Sequence, residues 1–404
     1  SAPHQRLDRF SREPSLPMVH RPTSANANAM AATGPPAGHP PPAAPHPAAS
    51  HHPVSVLPAN PAREHAFPSD PKLGRTGIKI TLDGIGAVIK PRVGTAPQTK
   101  TTTTPATVEQ GLRAKDKNVK TLLADVTGVI YAGDMCAVMG PSGAGKTTLL
   151  DIVSRRKTEG KVFGTAKFDG VVPTVSLVKK HTAYIQQQDC FFGGATVRET
   201  IMFAAMAKLP RLNDSCGNMC CNREDVDEKK RRVEKVIGQL NLTRCAETYM
   251  GNRLIRGVSG GEMKRTAVAC ALLCSPQCMF LDEPTSGLDS AMAGEVITNL
   301  QKLRDETGCT FVVSIHQPSP TVFQVFDRLI LLNYGRVAYF GPGKQAPLDF
   351  FAQQNFPYQK GYNTAEYLID TLNSHSTQVG GAHDFEAYYA ASSLAAENAN
   401  AVRE

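Results

Sequence analysis

Eight consecutive residues, Gly140, Pro141, Ser142, Gly143, Ala144, Gly145, Lys146 and Thr147, fit the pattern G-x-x-x-x-G-K-[ST]. An apolar stretch, Met135 to Met139, leads into them, and a helical run from Thr147 and Thr148 to Ser154 follows. Strand, glycine-rich turn and helix N-terminus in that order make an anion site. The glycines let backbone N–H groups turn toward phosphate oxygens, and the helix dipole favours their charge. Lys146 would reach the β- and γ-phosphates, and the Thr147 hydroxyl suits a Mg²⁺ ligand.

Phosphoryl chemistry needs a second metal contact and a group that orients water. Cys278-Met279-Phe280-Leu281-Asp282-Glu283 is an apolar strand ending in two carboxylates. Asp282 suits the Mg²⁺ shell, and Glu283 suits polarisation of an attacking water. Before the acidic pair lies a serine-glycine-glycine turn opening a helix, Val258-Ser259-Gly260-Gly261-Glu262, and beyond it a histidine, His316, directly after the apolar strand Thr310 to Ile315. Two glycines at a helix N-terminus present further backbone donors to a phosphate.

Taken as a set, these residues resemble the ATP-binding cassette (ABC) family. Ser259, Gly260 and Gly261 resemble the core of its LSGGQ signature. Gln187, within Tyr184-Ile185-Gln186-Gln187-Gln188-Asp189, is the best match to the Q-loop glutamine, judged from the downstream Thr196-Val197-Arg198-Glu199. Ser286-Gly287-Leu288-Asp289 resembles the D-loop, and His316 the switch histidine. The resemblance implies a P-loop NTPase cassette of class α/β, with a RecA-like core, an antiparallel β subdomain and a helical signature subdomain at about 190–265. It implies ATP and Mg²⁺ as ligands, with Gln187 sensing metal and water. It also implies that the signature motif and Asp289 of one chain complete the ATP site of another, so that hydrolysis needs a dimer.

Ser314-Ile315-His316-Gln317-Pro318 and the Val-Ser-Gly-Gly-Glu form of the signature are similar to the G subfamily of half-transporters. Asn363-Thr364-Ala365-Glu366-Tyr367 is a weak version of that subfamily's Asn-Pro-Ala-Asp-Phe motif, with Thr364 in place of proline. The family's adenine-stacking aromatic aligns nearest to Ala87. The resemblance implies a homo- or heterodimer with a second half-transporter, a transmembrane domain following in the full-length parent, and a place on the cytoplasmic face of a membrane.

The elements that must position these residues follow from pattern and composition. Helical and strand patterns alternate from about residue 78, which predicts an α/β core with a largely parallel sheet. A strand pair is expected over 119–129, strands near 162–168 and 181–186, and helix across most of 196–242. Sixteen of 29 prolines and seven of 11 histidines lie in residues 1–71, so residues 1–75 are expected to be a disordered tail. The cassette is expected over 76–374, and the polar, alanine-rich segment 375–404 as a linker toward the missing membrane domain.

The chain has 404 residues, a net charge of +8 and no run of about 18 apolar residues, so no transmembrane helix is expected within it. Nor does it open on a secretory signal pattern. Its ten cysteines, irregularly spaced, read as reduced thiols; Cys216, Cys220 and Cys221 lack a fourth metal ligand nearby. Lys229-Lys230-Arg231-Arg232 shares a helix with Val226, Val233, Val236, Ile237 and Leu240, which predicts a solvated basic face and no nucleic-acid partner. Phe191 and Phe192 are either core or an exposed contact for a membrane domain.

The function expected is therefore an ATPase driving transport. A soluble ABC ATPase of translation or repair would carry a second cassette or a long coiled-coil insertion, and neither is visible. An idle regulatory cassette would usually lack the lysine, glutamate or histidine, and Lys146, Glu283 and His316 are all present.

Overall fold

Three five-residue runs, Met135–Met139, Cys278–Asp282 and Thr310–Ser314, are buried at every position. A strand without a polar face must be covered on both sides, which is the environment of a parallel sheet between helices. The computed structural model describes residues 77–89, 120–209, 223–252, 254–359, 361–381 and 383–404. The tail expected over residues 1–75 and the cysteines 216, 220 and 221 lie outside them.

The strands are β1 (Ile80–Ile89), β2 (Lys120–Ile130), β3 (Met135–Met139), β4 (Lys161–Phe168), β5 (Thr182–Ile185), β6 (Cys278–Asp282), β7 (Thr310–Ser314), β8 (Arg328–Asn333) and β9 (Arg336–Pro342). Six form one sheet in the order β5-β6-β7-β3-β8-β9, parallel except for the terminal β8–β9 hairpin. The other three form an antiparallel sheet in the order β2-β1-β4. The region 119–129 is not the expected strand pair. It is one strand, and Asp125 sits in it with φ 50°, where the register against β1 shifts. A bulge turns side chains to the other face and so disguises a single strand as two.

The helices on the main sheet include α1 (Lys146–Val153) and α2 (Val175–His181), the latter not anticipated from sequence. The helical region holds α3 (Val197–Lys208), α4 (Arg223–Gln239) and α5 (Gly260–Leu272). In α4, Val233, Val236 and Ile237 are buried as the spacing predicts, and Leu240 just beyond it is buried too. Lys229 departs from the expected basic face: it is buried and paired with Asp225 at 3.1 Å, one helical turn back. After these come α6 (Ser290–Thr307), α7 (Pro320–Phe323), α8 (Ala346–Ala352) and α9 (Thr364–His375).

Residues 375–404, expected as a linker, are folded instead. They form α10 (Phe385–Ala390) and α11 (Ser393–Arg403), which pack against β9 and β2. Phe385, Tyr389 and Val402 are buried there, and Asn398 donates to the Phe340 carbonyl at 2.7 Å. The segment's many alanines and polar residues hid this, because its few large apolar side chains suffice to anchor two short helices on an already formed sheet.

Candidate active site

The carboxyl ends of β3, β7 and β6 lie side by side. Val138 pairs with Ser314 in one direction, and Asp282 pairs with Ser314 in the other. Loops leaving parallel strands at that edge are where α/β proteins bind ligands. The glycine-rich loop leaves β3, the acidic pair ends β6, and His316 follows β7, so one sheet register brings together residues up to 176 positions apart, from Gly140 to His316.

The loop between β3 and α1 needs its terminal glycines. Gly140 (φ 148°) and Gly145 (φ 104°) both adopt backbone conformations that favour glycine. A Cβ on Gly140 would collide with the Leu332 carbonyl, and one on Gly145 would stand 2.8 Å from Leu123 Cδ2. The β8–β9 turn braces the same loop: Gly335 N donates to the Ala144 carbonyl at 3.0 Å, and Ala124 N donates to the Gly335 carbonyl at 2.7 Å. The loop is thus pinned both to the hairpin and to β2.

Lys146 Nζ folds back over this loop and donates to the carbonyls of Gly140 (2.9 Å) and Pro141 (3.1 Å). Burial lowers its pKa, partly opposed by the nearby carboxylates of Glu283 and Asp282. A cation held in that condition gains from an anionic ligand. Asp282 Oδ1 accepts from the Ser314 hydroxyl (2.6 Å) and the Thr147 hydroxyl (3.1 Å). A carboxylate and a hydroxyl at this distance form an oxygen donor set that suits a hard cation such as Mg²⁺.

Glu283 has φ 49°, a left-handed conformation that is costly for a residue with a side chain. Its amide donates to both the Ser314 carbonyl (3.1 Å) and the Ser314 hydroxyl (2.9 Å), which hold it there. The strained backbone aims the carboxylate away from the strand axis and toward Gln187, whose Nε2 donates to Glu283 Oε2 at 2.6 Å.

A cavity of about 800 Å³ opens at this edge. Ser142, Gly143, Gly145, Lys146, Thr147 and Thr148 line it, with Gln187, Glu283 and His316 opposite. Gly140, Pro141, Ala144 and Asp282 support it from behind and are buried. Ala87 is 1% exposed within the core and does not reach the cavity. Lys120 and Leu122 of β2 form the wall there, together with Thr285 on the other side. Sequence reading missed these three, since β2 carries no motif and its side-chain facing depends on the bulge at Asp125.

Ser259, Gly260, Gly261 and Asp289 do not line the cavity. Ser259 caps α5 in a reciprocal arrangement: its hydroxyl accepts from Glu262 N (3.2 Å), and Glu262 Oε2 accepts from Ser259 N (2.8 Å). Burial pushes the Glu262 carboxyl up, but the Ser259 hydrogen bonds and neighbouring groups outweigh it, and its pKa is lowered. Asp289 caps α6 by accepting from Met292 N at 2.8 Å. A Cβ on Gly260 would stand 2.8 Å from Leu288 Cδ2, so the two turns sit against each other.

A family model described as ABC transporter matches residues 123–286. ABC transporter G family member 25 of Arabidopsis thaliana is 40% identical over 255 residues, covering 63% of this chain and 36% of that protein. The broad substrate specificity ATP-binding cassette transporter ABCG2 of Bos taurus is 38% identical over 64% of this chain and 37% of its own length.

Residues 123–286 thus match the ABC transporter family, and the relatives named are ATP-binding cassette transporters, one of them a G family member.

A probable ATP-dependent permease of Saccharomyces cerevisiae is 38% identical to the cassette, over 62% of this chain and 23% of that protein. The chain therefore spans well under half the length of these relatives. The cassette also shares its fold with a nucleotide-free ATP-binding cassette from an ABC transporter, at a TM-score of 0.50 and 18% identity over 68% of this chain and 95% of that one. Among the described residues of the cassette, no helix is long and apolar enough to cross a membrane.

Proposed function

We propose that the cassette binds ATP with Mg²⁺, hydrolyses it to ADP and phosphate, and does so as the motor of a G-family half-transporter. The observation that carries this reading is Glu283: a carboxylate held by strained backbone at the mouth of a phosphate-binding cavity and hydrogen-bonded to Gln187. Lys146 and the loop amides bind the β- and γ-phosphates. Thr147, Asp282 and Gln187 would hold Mg²⁺, which when bound neutralises phosphate charge. Glu283 orients and polarises the attacking water, and His316 contacts the γ-phosphate.

The signature residues do not line their own chain's cavity, and Gly260 at the start of α5 is exposed. That supports a site completed by Ser259, Gly260, Gly261 and Asp289 of a second half-transporter. Phe192 is 79% exposed and Leu254 95% exposed, beside the Gly193–Gly251 backbone contact of the helical region. Exposed apolar side chains of this kind support docking of a membrane domain, and so a position at the cytoplasmic face of a membrane.

Phosphate release by the purified chain tests the reading, with Lys146→Ala and Glu283→Gln as controls. ATP-dependent release that both substitutions abolish is expected. Release unaffected by either would refute it.

A further inference from the structure

We infer that Lys264 is a positioning residue that fastens the signature helix to the Q-loop of its own subunit, so that the two move as one body. The inference rests on the ATPase reading above and adds a residue to it. Lys264 lies on α5, five positions beyond Ser259, yet its side chain is almost wholly buried. Its ammonium donates to the Gln187 backbone carbonyl at 2.7 Å and pairs with Asp189 at 2.8 Å. The side chains of Lys264 and Asp189 are only 8% and 7% exposed.

A buried ion pair is weak evidence for stability, because desolvating both charges offsets most of their attraction. Its distinctive contribution is geometric. Lys264 has three donors, and two are spent on groups two residues apart in the same loop, which fixes that loop's height and rotation relative to α5. The Gln187 side chain is then directed to Glu283 by the 2.6 Å hydrogen bond already described. A continuous path of polar contacts thus runs from the capped N-terminus of α5, through Lys264 and the Gln187 peptide, to the carboxylate at the cavity. The neighbouring Arg265 ties a second face of the helix, pairing with Glu295 of α6 at 3.0 Å. With that second anchor, displacement of the signature turn is transmitted to Gln187 instead of being absorbed by rocking of α5.

The test is steady-state ATP hydrolysis by the full chain carrying Lys264→Met, which keeps the apolar stem and removes the charge. Turnover should fall about 10- to 100-fold, the cost of misplacing a reacting group by an ångström. Affinity for a fluorescent ATP analogue should stay within about twofold, because the phosphate loop is untouched. Lys264→Arg, which retains a buried donor cation, should recover most of the rate. The decisive readout is a double-mutant cycle with Gln187→Ala. If Lys264 acts through Gln187, the double variant is no slower than Gln187→Ala alone. Losses that multiply, or wild-type turnover in folded Lys264→Met, would overturn the inference. Should Lys264→Met fail to fold with Asp189 left unpaired, Lys264→Met combined with Asp189→Asn removes both charges, and wild-type turnover in that protein overturns it equally. A wild-type chain that releases no phosphate would instead bring down the ATPase reading; hydrogen exchange of amides 186–190 then decides the tie separately, with faster exchange in Lys264→Met expected and unchanged exchange refuting it.

Discussion

Gln187 Nε2 and Glu283 Oε2 stand 2.6 Å apart although 96 residues separate them in the chain. The contact joins the loop after β5 to the end of the adjacent strand β6, where Ile185 pairs with Leu281. A side-chain amide donating to a carboxylate holds that carboxylate in a fixed orientation, which a general base requires. Glu283→Gln should therefore bind ATP but lose at least about 10²-fold in turnover. Single-turnover phosphate release checks this, and undiminished release would remove Glu283 from the mechanism.

Lys146 pairs a functional cation with an unfavourable burial. Lys146→Met should abolish binding of a fluorescent ATP analogue. Because the folded protein lowers this pKa, the lysine's contribution to stability is fully present only above its unfolded pKa and is lost as pH falls through the folded one. At neutral pH the charged side chain thus weakens the fold, offset in part by its two carbonyl contacts. The nucleotide-free variant should melt no lower than wild type at pH 7. A loss of several degrees would show that the contacts to Gly140 and Pro141 outweigh desolvation.

The folded C-terminal segment makes a pH-dependent statement. Burial, reinforced by Asp384, raises the Glu386 carboxyl from its ordinary 4.5 to about 7, although Asn333 donates to it. For a carboxyl raised on folding, the stabilising contribution is complete below pH 4.5 and disappears as pH rises through 7. The difference amounts to about 3 kcal/mol at most. Protection factors over residues 385–403, corrected for the intrinsic pH dependence of exchange, should be higher at pH 6 than at pH 8, and Glu386→Gln should remove that difference. Equal protection at both pH values in wild type would contradict it.

Phe385 is fully buried and stacked on Phe351 of α8, with ring centroids 5.3 Å apart. Phe385→Ala should cost about 3–5 kcal/mol if the segment unfolds with the cassette. Denaturant unfolding measures it. A cost near zero would return residues 375–404 to the status of a linker.

A shared ATP site has its own signature. Lys146→Ala and Ser259→Arg chains should each be inactive alone, while their mixture contains one composite site free of both lesions. Partial recovery on mixing is expected, together with a wild-type rate per molecule that rises with protein concentration. A concentration-independent wild-type rate would show that one chain suffices.

Sequence alone named most of the residues that line or back the cavity. Gly140 to Thr148, Asp282, Glu283 and His316 were legible because each sits where an apolar strand ends, and parallel strands present their carboxyl ends at one edge. Local rules governed these sites: strand, turn and helix N-terminus are read within a dozen residues. Tertiary structure alone decided what depends on contacts between distant segments. The facing of Lys120 and Leu122 into the cavity follows from a bulge set by pairing with β1. The burial of Ala87, Lys229 and Lys264 follows from which neighbours cover them, and a charge pattern on one helix cannot report a partner such as Asp189 on a loop 75 residues earlier. The docking of α10 and α11 was equally hidden, since Phe385 and Tyr389 become an anchor only once β9 and α8 have formed the surface that receives them.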